Sequence, residues 1–410
     1  MSEQAAAPLA LTHDQIDDTS HGYDAPLLRV TLPQTQTPVW LATRYDVVKA
    51  VLADSRFVRD LAKVPGSEGG GIGAELLDDA GLPPEYRLYL EILVMVDGPE
   101  HTRLRSHVLR AFAPRRIAAL RPRIERRVAE LADELTAKGE EFEFLSAFAY
   151  PVMTDVICDI IGVDEDDRDK VAGWIRDYES GEPDRFLPGI DHLASYIGAL
   201  LDRRAQAPAE DLASDLLRAD AEAAEGQRLT RREMIALVFL LINTGIAPPA
   251  LFNTDAVLTL LDHPDQTALL RAEPALLPRA VQELLRHVSA VHVGATMYAT
   301  EDVELGGVLV RRGEGVTSGL LAANRDPGTF PEPARLDLTR EAARGAGHIA
   351  YGHGAHRCIG AALANLQTEV LVEELFLKRD GLTLAGGRDA LQRIGFAGDG
   401  TYLVGLPVRF

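Results

Sequence analysis

Between about residues 100 and 285, apolar residues recur at three- and four-residue spacings. The pattern runs through LRSHVLRAFA, RRIAALRPRIERRVAELADELTAK, TDVICDIIGV and ASYIGALLDRRAQ into EMIALVFLLINTG. That period places the apolar positions on one face of a helix, so the stretch predicts several packed helices. Their lengths differ and no heptad is sustained, which argues against a coiled coil, and no repeat period recurs. Upstream, LRVTLPQTQTPVWLATRYDVVKAVLA reads as two short strands about a turn, then a helix beginning near Arg44. After residue 290 the pattern shortens to β-like pieces, VHVGATMYA, VELGGVLV and VTSGLLAA, broken by the turn-rich RDPGTFPEPARLD. A last amphipathic helix, AALANLQTEVLVEELFLK, precedes terminal strand-like pieces. The predicted fold class is mainly α with a smaller β part, a single domain over residues 21–410 behind a polar, flexible N-terminus of residues 1–20.

Composition narrows the functional classes. The formal net charge of -20 over 410 residues opposes a broad nucleic-acid-binding surface, which needs a positive footprint. The opening MSEQAAAPLALTHDQ has neither the basic start nor the apolar core of a signal peptide, and no run approaches the ~20 apolar residues of a membrane span. A soluble, cytoplasmic, monomeric protein is expected. Gly69, Gly70, Gly71 and Gly73 follow no apolar strand and precede no Gly-Lys-Ser/Thr, so residues 61–90 read as a surface loop, not a phosphate cradle. The two cysteines, Cys158 and Cys358, lie far apart and belong to no zinc-like cluster. Cys158, inside VICDII, reads as core.

Cys358 sits differently. In YGHGAHRCIGAALA, residues 351 to 364, glycines at 352, 354 and 360 surround the cysteine just before a helix begins. A thiol at a helix N-terminus is expected to have a lowered pKa, because the dipole and the backbone N–H groups stabilise the thiolate. The stretch resembles the heme-binding signature of the cytochrome P450 family, with Tyr351 in place of its usual Phe and with Gly354, Cys358 and Gly360 in register. ELLR supplies the family's Glu-x-x-Arg pair as Glu283 and Arg286, and HTRLR its His-x-x-x-Arg as His101 and Arg105. ATEDVELGG, AANRDP and FPEPARLD follow in family order, so the likeness spans roughly residues 30 to 410.

The resemblance implies a single triangular-prism domain holding heme b, with Cys358 as the metal ligand. It implies that His101, Arg105 and His356 contact the propionates, that Tyr351 and Gly360 flank the cofactor, and that Glu283 and Arg286 form a structural ion pair with Arg335 or a neighbour. It further implies a pocket lined by Leu240, Asn243, Thr244, Pro248, Val291, His292, Val293, Gly294 and Phe396, gated by residues 60–95 and about 175–192. Where electrons are needed, ferredoxin and ferredoxin reductase are the implied source, with Arg103, Arg110, Arg115, Arg116 and Arg357 as a basic docking patch.

Two departures stand out. In LLINTGIAPPA, aligning Gly245 with the family's central-helix glycine places Thr244 before it, Ala247 at the proton-handling acid and Pro248 at the alcohol. Neither replacement has a side chain that donates or accepts a hydrogen bond. Pro248 and Pro249 also remove two N–H donors inside a helix, so a kink or opening is expected. Met297 stands where the family commonly has a propionate-binding arginine, and His292 or another base is a candidate substitute. Three functional readings follow. The first is atypical heme chemistry on a small to medium molecule of specialised metabolism, such as cyclisation, rearrangement, or nitrene-like or oxo transfer from an activated N–O or O–O bond. The second is conventional oxygen- and ferredoxin-dependent monooxygenation, and the third a noncatalytic heme carrier or sensor.

Overall fold

The computed structural model describes residues 7–18, 25–67, 70–79, 81–180, 182–341, 347–395 and 398–410. β1 (Leu9–Ala10) is followed by α1 (His13–Asp17), opened by a capping box between Thr12 and Gln15. Residues 9–17 were expected to be loose, yet they are built into the fold. Leu11 and Ile16 are buried among the strands, two apolar anchors inside an otherwise polar stretch. β2 (Leu27–Thr31), β3 (Val39–Ala42), α2 (Tyr45–Ala53) and β4 (Phe57–Val58) come next.

The glycine-rich stretch that reads as a loop contains α3 (Gly71–Asp79), because past its glycines IGAELLDD has helix-forming residues and buries Ile72. The helical body then comprises α4 (Gly98–Val108), α5 (Pro114–Lys138), α6 (Tyr150–Ile161), α7 (Arg168–Glu179), α8 (Pro183–Gln206), α9 (Arg231–Asp262) and α10 (Leu277–His287). The expected gate at 175–192 is therefore mainly the end of α7 and the start of α8, two helices packed against each other. Cys158 lies in the helical core, where burial pushes its thiol up to about 12.

β5 (Met297–Ala299) and β6 (Gly315–Ser318) complete a six-stranded sheet of order β1-β2-β3-β6-β5-β4. The stretch following β6 turns helical over Leu320–Asn324, where strand-like residues were expected. α11 (Ala361–Val372) follows the cysteine loop, and β7 (Arg393–Gly395) pairs antiparallel with β8 (Thr401–Leu403).

α9 organises the site. Thr230 and Glu233 close a capping box at its start, and most of its residues are buried. By length and composition alone it could cross a membrane, but more than half of its most apolar window is covered by the rest of the chain. It continues as α-helix through Pro248 and Pro249, so the expected opening is absent. Packing holds the turn: Ile246 and Ala250 are fully buried, and a Cβ at Gly245 would overlap Ile157 Cδ1 of α6. Side chains also stitch it, with Thr244 Oγ1 donating to the Leu240 carbonyl at 2.8 Å and Asn253 Nδ2 to the Pro249 carbonyl at 2.7 Å.

A buried ionic knot ties α10 to the segment after the Leu320–Asn324 helix. Arg286 donates to both Glu283 oxygens at 2.8 Å and to the carbonyls of Asn324, Pro333 and Arg335. The second cation on Glu283 is Arg340, at 3.0 Å, while Arg335 contributes only its carbonyl.

Candidate functional site

The cysteine loop is positioned from both ends. Gly354 takes φ +71, and a Cβ there would overlap the Leu52 carbonyl oxygen at the end of α2, so only glycine lets the loop lie so close. The Cys358 amide donates to the Tyr351 carbonyl at 2.9 Å, and Tyr351 Oη bonds Asn365 Oδ1 of α11 at 2.8 Å. Cys358 is exposed, although the surrounding chain still encloses and desolvates much of its thiol. That enclosure pushes its thiol above the ordinary value, and the Gly360 amide, Arg105 and Arg357 pull it only partway back. The lowered thiol expected from a helix N-terminus is therefore not realised in the protein alone, since desolvation outweighs the dipole.

Beside this cysteine stands a group of basic side chains. The His101 and His356 rings lie 4.1 Å apart. Arg105 donates to the Arg357 carbonyl at 2.7 Å, and His356 Nε2 approaches Asp97 Oδ1 at 3.3 Å. His101 is 4% exposed, and its Nε2 is buried without a hydrogen-bond partner. Burial, with the neighbouring His356, Arg105 and Arg59, pushes its pKa down to about 4, so the ring is neutral at pH 7. An exposed soft sulfur ligand, with cationic and unpartnered N–H donors nearby, fits iron carried by a dianionic ligand such as heme b. Met297 offers nothing to such an anion: it is buried in the apolar cluster around β4, β5 and β6.

A cavity of about 420 Å³ lies against α9. Asn243, Thr244, Ala247, Pro248 and Leu251 form its helical wall; Val291, Val293, Gly294 and Thr296 form the facing one; α3 adds Ile72, Gly73 and Leu76. The structure thus brings Asn243, Thr244, Ala247, Pro248, Val291, Val293 and Gly294 to one space. Gly245 faces α6, and Leu240, 4% exposed, packs in the core. Phe396 lies outside the described residues.

His292 turns the other way. Its Nδ1 meets Asp17 Oδ1 at 2.6 Å, its ring stacks on Tyr402 at 5.2 Å, and it borders a second, charged cavity of about 450 Å³ with Asp17, Asp255, Arg325 and Arg393. It therefore does not stand in for an arginine at 297. The terminal turn instead contributes Asp399 and Tyr402, which the sequence reading passed over. Asp399 Oδ1 accepts the amides of His292, Val293 and Gly400, and Oδ2 accepts Tyr402 Oη at 2.6 Å. Hydrogen-bonding residues flanking a terminal β turn were the available signal. Of the five proximal arginines, Arg103 is paired with Glu100 and Glu233, and Arg116 with Asp215. Arg110, Arg115 and Arg357 are exposed.

Comparison with known proteins agrees with this geometry. The family model described as Cytochrome P450 matches residues 190–379. Cytochrome P450 107B1 of Saccharopolyspora erythraea is 37% identical over 86% of this chain and 85% of its own length. The 6-deoxyerythronolide B hydroxylase of the same organism is 35% identical over 87% and 88%. The crystal structure of the LnmA cytochrome P450 hydroxylase from the leinamycin pathway of Streptomyces atroolivaceus superposes with a TM-score of 0.82 at 32% identity, covering 100% of this chain and 99% of that one. A thiol loop, a basic margin and an apolar cavity against a long central helix, in a chain this similar to those enzymes along nearly its whole length, place the protein in the cytochrome P450 family.

Proposed function

We propose that this P450 oxidises a small to medium, mostly apolar molecule of specialised metabolism in the cavity beside α9, taking protons from ordered water or from the substrate's own polar group. The observation that carries the proposal is the α9 wall. Ala247 and Pro248 border the cavity with side chains that move no proton, and the Thr244 hydroxyl donates to the Leu240 carbonyl. When bound, heme b supplies thiolate-ligated iron, which favours heterolytic cleavage of a bond on its distal side. Cys358 is the ligand in this reading. His101, Arg105 and His356 hold the propionates, and Tyr351 and Gly360 fix the loop. Asn243 and Thr244 orient the substrate's polar end, and Ala247, Pro248, Val291 and Val293 exclude water around its apolar part. Two relatives named as hydroxylases support monooxygenation. Ferredoxin and its reductase then supply electrons across the surface bearing Arg110, Arg115 and Arg357. A cavity of this size against α9 favours an enzyme over a heme carrier or sensor.

A second reading rests on the same wall: with no acid and no alcohol, the substrate brings an activated N–O or O–O bond and needs neither dioxygen nor external electrons. Anaerobic incubation with candidate substrates and no reductant separates the two. Product that forms only with dioxygen, ferredoxin and NAD(P)H supports monooxygenation; product without them supports the second reading. Ala247→Glu with Pro248→Thr provides a further check. Monooxygenation limited by proton supply should then gain turnover, whereas the second reading gains only oxygen consumption. Loss of the thiolate-type band of the reduced carbon monoxide complex in Cys358→Ala is expected under both readings, and its survival would overturn the ligand assignment.

A further inference from the structure

The β4–β5 ladder pairs Phe57 with Ala299 and Val58 with Tyr298. Arg59 lies one residue past the last pair, where its amide turns to Asp97 at 2.8 Å, and Met297 lies one residue past the same pair on β5. The two positions therefore flank the same end of the ladder.

The Arg59 side chain has unused hydrogen-bonding capacity. The Arg59 guanidinium donates one hydrogen bond, Nη1 to the Val94 carbonyl at 2.7 Å, while its Nε is buried and unpartnered. The nearby carboxylate, Asp97, is already engaged: Oδ2 takes the backbone amides of Arg59 and Asp60, and Oδ1 faces His356. Among the described residues Arg59 makes no ion pair within 4 Å. Burial lowers its pKa to about 10, with Asp97 opposing, so the group remains charged at pH 7. Arg59 as a residue is only half-buried, but its Nε is a buried nitrogen without a partner, and the neighbouring His101 Nε2 is a second. Both groups adjoin His356, two positions from Cys358: Arg59 through Asp97, whose Oδ1 faces His356, and His101 through ring contact at 4.1 Å.

We propose that Arg59 supplies the propionate-binding cation that position 297 lacks, from the residue that follows β4 instead of from β5. The assignment rests on heme b occupying the site, and the thiolate-type carbon monoxide spectrum checks that separately.

Heme transfer from the ferric holoprotein to excess apomyoglobin tests it. Arg59→Met should speed transfer about tenfold, the loss expected for one charge-assisted hydrogen bond, with the carbon monoxide spectrum retained. Adding Met297→Arg to that variant should bring the rate back toward wild type, because a cation returns to the same end of the ladder from the other strand. An unchanged rate in Arg59→Met, or no rescue in the double variant, overturns the proposal; the latter would assign Arg59 only to the Val94 carbonyl. Reconstitution with heme dimethyl ester removes the anion, so wild type and Arg59→Met should then lose the cofactor at equal rates. A persisting difference overturns the proposal. If Arg59→Met fails to fold, Arg59→Lys replaces it: faster transfer of heme but not of the dimethyl ester supports the proposal, and equal acceleration of both overturns it.

Discussion

Asp17 and His292 stand 275 residues apart in sequence and meet at 2.6 Å, Oδ1 to Nδ1. The second Asp17 oxygen accepts the Thr401 amide at 2.9 Å and its hydroxyl at 2.5 Å. One side chain from α1 thus binds the strand-like segment behind the cavity wall and the terminal β hairpin together.

Burial favours the neutral Asp17 carboxyl, but hydrogen bonds from His292 and Thr401 outweigh it and hold the pKa below the ordinary carboxylate value. A group shifted this way binds fewer protons folded than unfolded. Its contribution is complete above the unfolded value of about 3.9 and is lost as pH falls through the lower folded one. Asp17→Asn should cost roughly 1–3 kcal/mol at pH 7. The gap to wild type should close below about pH 4. Urea unfolding at both pH values checks this, and a constant gap would refute it.

Tyr402→Phe leaves one oxygen of the buried Asp399 without its 2.6 Å donor. The expected loss is about 1–3 kcal/mol of stability. Weaker substrate binding should accompany it, read from the substrate-induced Soret shift, because Asp399 also holds the amides of His292 and Val293 at the pocket edge. Unaltered binding would confine the pair to a fold role.

Gly245→Ala drives a methyl into Ile157. It should destabilise by about 1–3 kcal/mol. Ile157→Ala should cost less in that background than alone, since the two changes share one contact. Strict additivity in a double-mutant cycle would show that α6 and α9 adjust independently.

Arg286→Met takes the fully buried cation from Glu283, which is 3% exposed, and leaves it only Arg340. Removing one partner of a buried pair costs about 3–5 kcal/mol. Arg340→Met removes a more exposed cation, with 14% of its side chain accessible, and should cost clearly less. Equal losses in chemical denaturation would contradict the ranking.

The legible parts of this site are local in sequence. The Cys358 loop announces itself because its glycines and its following helix lie within a few residues, and Glu283 with Arg286 because they share one helical face. The unread parts depend on distant partners. His292 looks like a pocket residue until Asp17 fixes the direction of its ring. Arg59 becomes conspicuous only when strand register sets it at the same end of a ladder as Met297. Pro248 and Pro249 break a helix by local rules, but packing between α6 and α9 keeps the helix whole, which isolated propensity does not encode.

The Asp17 contacts have a practical consequence for handling the protein. Trimming the chain ahead of Leu27, a routine step when residues look dispensable, would delete the carboxylate that bridges His292 and Thr401. Such a truncation would act on the cavity wall through a carboxylate lying ten positions ahead of the first long strand, altering selectivity while every residue lining the cavity against α9 stayed in place.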